Sequence, residues 1–384
     1  MPRLAEGGAV YCPARDDDFQ QRHSHGRHGI RMAREALYNG DDMEPAGEPP
    51  ARYASLTREE DAALRPQRIK DMIGQRAVYE RLKIAVDAAR IRQEPLGHVL
   101  LDGPPGLGKT TFATCIPRAL DVPLQIASGA ALSAPKDLLP YLTNAEEGSV
   151  LFIDEIHRLP KAVEEFMYPA MEDFRVDITL GEGVSARTVN LALRPFTVIG
   201  ATTRTGLLSA PLRDRFQVRE HLEFYSHDEL RQIVERNANK LKVEIERDAS
   251  LKIAACSRGT PRIANNRLRW VRDYATTKAD GRITLAVAEA ALAMLGVDLQ
   301  GLDGQDRKYL ETVLRVFHGG PVGVQAIAHT LNTAVDTLTD EVEPFLLRAE
   351  LVIRSPRGRK LTAKGYEHLG ATPPDESGQR SLFE

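Results

Sequence analysis

Glycine, lysine and threonine recur at phosphate-binding spacing in Gly103-Pro-Pro-Gly-Leu-Gly-Lys-Thr110, which follows a short apolar run and precedes a helical pattern. That context gives the spacing its meaning: glycines let the backbone wrap closely, so that successive N–H groups and a helix N-terminus face anionic oxygens. Gly106 and Gly108 would shape the cradle, Lys109 would neutralise β- and γ-phosphates, and Thr110 would bind Mg²⁺ through its hydroxyl. A second apolar run ends in Asp154-Glu155, a carboxylate for the Mg²⁺ shell beside one that polarises water. The combination points to ATP hydrolysis rather than ATP storage. Two threonines, Thr202 and Thr203, end a third run, where a hydroxyl would orient the attacking water. Arg213 and Arg215 follow a loop and have the placement of arginine fingers, which enter a neighbouring subunit's site; Arg262 opens a helix and would contact the γ-phosphate.

These groups need a scaffold that brings strand ends together. His98–Leu101, Ser149–Ile153 and Phe196–Gly200 read as buried strands alternating with helical stretches, the pattern of a parallel α/β sheet. Val176–Leu180, then Gly-Glu-Gly, then Ser185–Leu193 predict a β-hairpin inserted into that core. Downstream, Gly259-Thr-Pro261 marks a helix start within a helical stretch, and Gly319–Gly323 with Leu351–Leu361 suggests a compact winged-helix module. The expected division is a disordered extension over 1–54, a large domain over 55–225, a small helical lid over 226–300, a winged helix over 301–370 and a polar tail over 371–384. His23, His25 and His28 in the extension lack Cys or carboxylate partners at ligand spacing, so a solvated tail is the better reading than a metal site.

The chain carries 51 basic and 54 acidic side chains over 384 residues, a net charge of −3, which argues against a uniformly nucleic-acid-coating surface but allows a local basic patch. Cys12, Cys115 and Cys256 are too scattered for a disulfide framework or a zinc knuckle, which fits a reducing cytoplasm. No apolar run is long enough for a membrane span, and a soluble protein is expected.

Taken in order, these motifs resemble those of the AAA+ ATPases, and the likeness extends to one family within them. Asp154-Glu-Ile-His-Arg-Leu159, Tyr168-Pro-Ala-Met-Glu-Asp-Phe174, Gly200-Ala-Thr-Thr-Arg204, Pro211-Leu-Arg-Asp-Arg-Phe216, Arg258-Gly-Thr-Pro-Arg-Ile-Ala-Asn265 and Pro356-Arg-Gly-Arg359 are each similar to stretches of the RuvB family, in the same order. The resemblance implies an ATPase motor, usually a homo-hexameric ring, that drives branch migration of DNA four-way junctions with RuvA in recombination and repair, with the RuvC resolvase as a further partner. It implies that Leu64, Arg65 and Ile73 flank the adenine; that Gly106, Lys109, Thr110 and Thr111 hold phosphates and Mg²⁺; and that Tyr225 and Arg262 complete the pocket. Glu172, Asp173 and Phe174 are nucleotide-proximal by the same likeness, Arg215 is the trans-acting arginine, and the hairpin 176–189 docks RuvA. Duplex contact falls to Arg354, Arg357, Arg359 and Lys360 on the wing-like turn, through phosphates rather than base edges.

Two positions depart from the family pattern. Pro117 lies in the helix after the phosphate loop, where it should kink or shorten it, at a cost of about 3 kcal/mol if unrelieved. Arg267 stands where an apolar residue is expected. A rival reading, an ATP-gated initiator or loader that binds DNA without translocating, shares the core and the winged helix; the hairpin and the Pro-Arg-Gly-Arg turn favour the motor.

Overall fold

A computed structural model describes residues 62–180 and 187–373. The extension over 1–54, its histidines and the hairpin tip over 181–186 lie outside the described residues, as does most of the tail.

Five parallel strands form the central sheet: β1 (Val99–Asp102), β2 (Leu124–Ser128), β3 (Val150–Asp154), then β6 (Thr197–Thr202) and β7 (Val218–His221), in the spatial order β2-β3-β6-β1-β7. The three expected strands are the inner ones. Every residue of β6 is buried, as are Val99, Leu100, Leu101 and Val150–Ile153, because helices cover both faces of a parallel sheet. The sequence reading overlooked the outer two. Edge strand β2 (Leu-Gln-Ile-Ala-Ser) leaves Ile126 exposed, and β7 (Val-Arg-Glu-His) buries a carboxylate, Glu220, which Arg81 pairs with across the sheet edge.

Helix α1 (Arg76–Arg92) and helix α2 (Lys109–Leu120) pack on one face of the sheet, and their buried side chains join those of the lid helices in one continuous apolar cluster. Helix α2 continues three residues past Pro117, which sits in its last turn. The proline removes one bond to the Ala113 carbonyl, yet its own carbonyl accepts from the N–H groups of Asp121 and Val122, closing the helix. The opposite face is covered by α3 (Pro135–Thr143) and α4 (Lys161–Glu172).

The inserted hairpin pairs β4 (Arg175–Leu180) with β5 (Arg187–Ala192) in antiparallel register. Its base is anchored by buried Val176 and by the edge-to-face contact of Phe174 with Phe196, 6.0 Å between centroids. All of β5 is exposed, so the hairpin stands away from the core.

The lid contains α5 (His227–Lys240), α6 (Arg247–Ala255), α7 (Pro261–Lys278) and α8 (Leu285–Met294). Ser226 and Glu229 close a reciprocal cap on α5, and Pro261 opens α7 where its missing N–H costs nothing. Arg267 is buried in α7, as its position demands, and burial pushes its guanidinium down to about 10; one nitrogen donates to the Gly301 carbonyl at 3.1 Å. The arginine thus replaces apolar packing with a bond to the segment entering the next module. That module has its own core and comprises α9 (Gly304–Arg315), α10 (Val324–Thr330), a π-helical turn (Leu338–Val342), α11 (Glu343–Arg348), the wing strands β8 (Val352–Ser355) and β9 (Gly358–Leu361), and α12 (Ala363–His368).

Candidate nucleotide site and wing

The loop between β1 and α2 has the backbone that its glycines permit. Gly103, Gly106 and Gly108 all have positive φ, and a Cβ on Gly103 would lie 2.5 Å from the Leu222 carbonyl oxygen. Lys109 is buried, its Nζ donating to the carbonyls of Gly103 at 2.6 Å and Pro104 at 2.8 Å. Burial pushes its ammonium down to about 8, with the charges of Asp154 and Asp102 offsetting part of the effect. The amine therefore rests inside the loop, bonded to its backbone carbonyls.

Thr110 lies in the first turn of α2 and Asp154 ends β3, with the hydroxyl 3.5 Å from the carboxylate. A hydroxyl beside a single carboxylate fits Mg²⁺, which is held by few protein oxygens and takes the rest of its octahedron from phosphates and water. Among the described residues no group of three or more His, Cys, Asp or Glu is placed to hold a metal ion. Glu155 follows with φ of 50°, a turn that carries its half-exposed carboxylate away from the strand axis, where Arg158 pairs with it at 3.0 Å.

The two threonines at the end of β6 separate in role. Thr202 is buried and shares a hydrogen bond with His157 Nδ1 at 3.0 Å, whereas Thr203 is partly exposed in the same cleft as Gly103 and Pro104. His157 is a contact that sequence reading missed; its only signal was its place two residues after Glu155.

A cleft on the other side of the loop gathers Leu64, Arg65, Ile73, Gly108, Thr111 and Tyr225, together with Asn237 and Pro261 of the lid. Tyr225 donates to the Leu107 carbonyl at 3.1 Å, and Lys240 of α5 donates to the carbonyls of Ala63 and Leu64, tying this segment to the lid. Lys240 was not foreseen, because a side chain that approaches from a separate domain leaves no local spacing. Arg262 sits against the loop: its N–H donates to the Gly106 carbonyl at 3.4 Å, and a Cβ on Gly106 would lie 3.0 Å from its own.

Arg213, Arg215, Glu172, Asp173 and Phe174 do not line either cleft bordered by the phosphate loop. Arg215 pairs with Glu172 at 2.9 Å, donates to the Pro211 carbonyl and lies 4.1 Å over the Tyr168 ring. Arg213 is partly exposed at the end of the short helix Ala210–Asp214, and Asp173 pairs with Arg175.

On the wing, the register places Arg354 opposite Arg359, a repulsive cross-strand pair in isolation. Fully buried Glu343 resolves it, accepting from Arg354 at 2.9 Å, Arg359 at 2.8 Å and Tyr309 at 2.9 Å. Burial alone would raise the Glu343 carboxyl, but these donors outweigh it and hold it below the usual range. Two of the expected duplex-contacting arginines are thus engaged in fastening the wing to α11. Arg357 is exposed at the turn between the strands, and Lys360 follows on β9.

Comparison with known proteins agrees with this architecture. Residues 64–222 match the family model for the Holliday junction DNA helicase RuvB P-loop domain, 225–298 the RuvB AAA lid domain and 299–370 the RuvB C-terminal winged helix domain. The chain is 58% identical over 357 residues to the Holliday junction branch migration complex subunit RuvB of Rhodopirellula baltica, covering 90% of this chain and 98% of that one. Among solved structures, the Thermotoga maritima RuvB Holliday junction branch migration motor superposes with a TM-score of 0.75 at 46% identity, covering 81% of this chain and 100% of that one. A point mutant of the same protein gives a TM-score of 0.76 at 46% identity, over 81% and 99% of the two chains. No helix among the described residues is long and apolar enough to cross a membrane. A nucleotide-binding P-loop core, a helical lid and a winged helix, matched along their whole length, make this chain a member of the RuvB family of AAA+ ATPases.

Proposed function

We propose that the chain is an ATP-driven DNA motor that promotes branch migration of Holliday junctions together with RuvA, in homologous recombination and DNA repair. One observation carries this reading: a phosphate loop whose Thr110 hydroxyl lies 3.5 Å from Asp154 belongs to the same folded unit as a winged helix, in a chain of the RuvB family.

In this reading Leu64, Arg65, Ile73 and Tyr225 enclose the base, while Lys109, Thr111 and the loop N–H groups hold the phosphates. Glu155 draws a proton from the attacking water and Thr203 orients that water. Mg²⁺, held by Thr110 and Asp154, supplies neutralisation of the phosphate oxygens when bound. Arg215, steadied by Glu172 and Tyr168 and flanked by Arg213, completes the site of a neighbouring copy in a homo-hexameric ring, and Arg262 reports the γ-phosphate to the lid. RuvA docks on the inserted hairpin, where Val189 and Leu191 leave apolar surface exposed on β5, and RuvC joins the assembled complex. Arg357 leads the duplex contact, with Arg354, Arg359 and Lys360 around it.

The test is ATP-dependent dissociation of a synthetic four-way junction, with and without RuvA, for the intact chain and Glu155→Gln. Junction dissociation by the intact chain, lost in the variant while ring assembly persists, is expected. ATP hydrolysis without junction movement, even with RuvA present, would transfer the reading to a loader or initiator.

A further inference from the structure

Two sets of ion pairs that attach the winged-helix module to the rest of the protein differ physically. Towards the lid the central pair is buried: Arg258 is 9% exposed and Asp306 0%, with Asp303 joining at the rim at 38%, and Arg267 donates to Gly301. Towards the P-loop domain, beside Arg348 stacked 4.5 Å over the Phe224 ring, stands a solvent-accessible clamp. Arg204 donates from Nε and Nη2 to both carboxylate oxygens of Asp340, at 3.1, 3.1 and 2.6 Å, and from Nη2 to Asp336 at 2.8 Å. The side chains concerned are 28%, 31% and 76% exposed for Arg204, Asp340 and Asp336. Water reaches this clamp, so its opening costs far less than opening the buried pairs.

Both ends of the clamp are placed to carry a signal. Arg204 directly follows Thr203, and its N–H donates to the Thr202 hydroxyl at 3.0 Å, the same hydroxyl that meets His157 beside Glu155. Asp340 lies in the π-helical turn, a segment type that marks functional sites more often than regular helix does. Three residues on is Glu343, which holds Arg354 and Arg359 and therefore the two wing strands. The threonine end of β6 is thus linked to the wing by this ion-pair junction and one short turn.

We propose that Arg204 is a positioning residue, and that its clamp on Asp336 and Asp340 couples the threonine end of β6 to DNA engagement by the wing. The inference rests on the motor reading above. The same contact lets nucleotide state move the wing and lets duplex on the wing change hydrolysis, with equal factors in the two directions required only of the binding free energies.

The experiment uses the full chain with ATP, Mg²⁺ and linear duplex DNA, comparing the parent with Asp336→Ala/Asp340→Ala and with the near-isosteric Asp340→Asn. Measured are kcat and KM for ATP without and with duplex, duplex affinity by fluorescence anisotropy, and the thermal unfolding midpoint. The expected result is duplex stimulation of kcat reduced by about fivefold or more, with basal kcat, KM and duplex affinity within about twofold of the parent, the span of a few tenths of a kcal/mol. Asp340→Asn keeps the side-chain volume and supplies the answer should the double variant lose its cooperative melt. Stimulation unchanged in folded variants overturns the inference, as does a proportional fall in basal and stimulated rates, which is the mark of a merely structural contact. A parent chain whose ATPase ignores duplex removes the motor reading first, and this failure is seen before any variant is made.

Discussion

A pH titration of nucleotide binding tests the phosphate-loop geometry at its most sensitive point. Lys109 is held at about 8 by burial, against an ordinary lysine value of 10.5, which corresponds to a penalty of about 3 kcal/mol on the charged amine. Its two acceptors, the Gly103 and Pro104 carbonyls, are neutral and do not repay that penalty in full. A bound triphosphate favours the ammonium, so the nucleotide-free protein must take up a proton before it binds well above pH 8. The sign follows directly: affinity is full below pH 8 and falls as pH rises through it. For a single group at about 8, the dissociation constant of a non-hydrolysable ATP analogue should rise roughly eightfold between pH 7.5 and pH 9, with close to one proton taken up per nucleotide at the upper end. The window lies above the second phosphate ionisation, so the ligand's own charge stays nearly constant. Burial pushes the Tyr225 phenol upward and out of this range. Isothermal titration calorimetry at fixed ionic strength, in two buffers of different ionisation enthalpy, reads both quantities. Lys109→Arg supplies the control, since a guanidinium stays charged and should give a weaker but flat profile. An affinity that does not change from pH 7.5 to pH 9, with heats independent of buffer, would refute the argument that burial governs this amine.

Two further predictions concern charge pairs outside the nucleotide cleft. Arg357→Ala should weaken duplex binding and lower the log–log salt slope by about one without changing the unfolding midpoint, whereas Arg359→Ala should cost about 1–3 kcal/mol of stability by leaving Glu343 short of a donor. Salt-titrated anisotropy and urea melts separate the two, and an unchanged slope in Arg357→Ala would exclude the wing turn as a phosphate contact. Arg258→Met should cost about 3–5 kcal/mol because Asp306 is left buried and unpaired, and Arg258→Met/Asp306→Leu should recover most of it in the same melts.

The phosphate loop and the strand-end acids were legible because their chemistry is local. A glycine-rich turn, a lysine and a hydroxyl must be contiguous to wrap one anion, and Thr110 meets Asp154 because both lie at the ends of elements whose apolar runs mark the inner sheet. The outer strands were not legible for a related reason. An edge strand is covered on fewer sides, so β2 keeps a half-polar pattern, and β7 contains a buried Glu220 whose neutralising Arg81 lies on α1. Pro117 shows the opposite limit: its cost depends on where the helix ends, and the turn formed by Asp121 and Val122 uses the proline's own carbonyl.

The wing marks a deeper boundary of sequence reading, because a cluster of basic residues does not say which of them are already engaged. Arg354, Arg357 and Arg359 are equivalent by composition and spacing, yet only the fold brings Glu343 between two of them. A fully buried carboxylate with three donors is expensive to uncover, so Arg354 and Arg359 cannot both leave it for DNA without unfastening the strands that present Arg357. The same carboxylate stands three residues from Asp340, the clamp partner of Arg204. The pairing that engages two arginines therefore also ties the wing strands to the turn that contacts the ATPase core. A motor of the proposed kind needs such a tie, since a loosely held wing would bind duplex and transmit nothing.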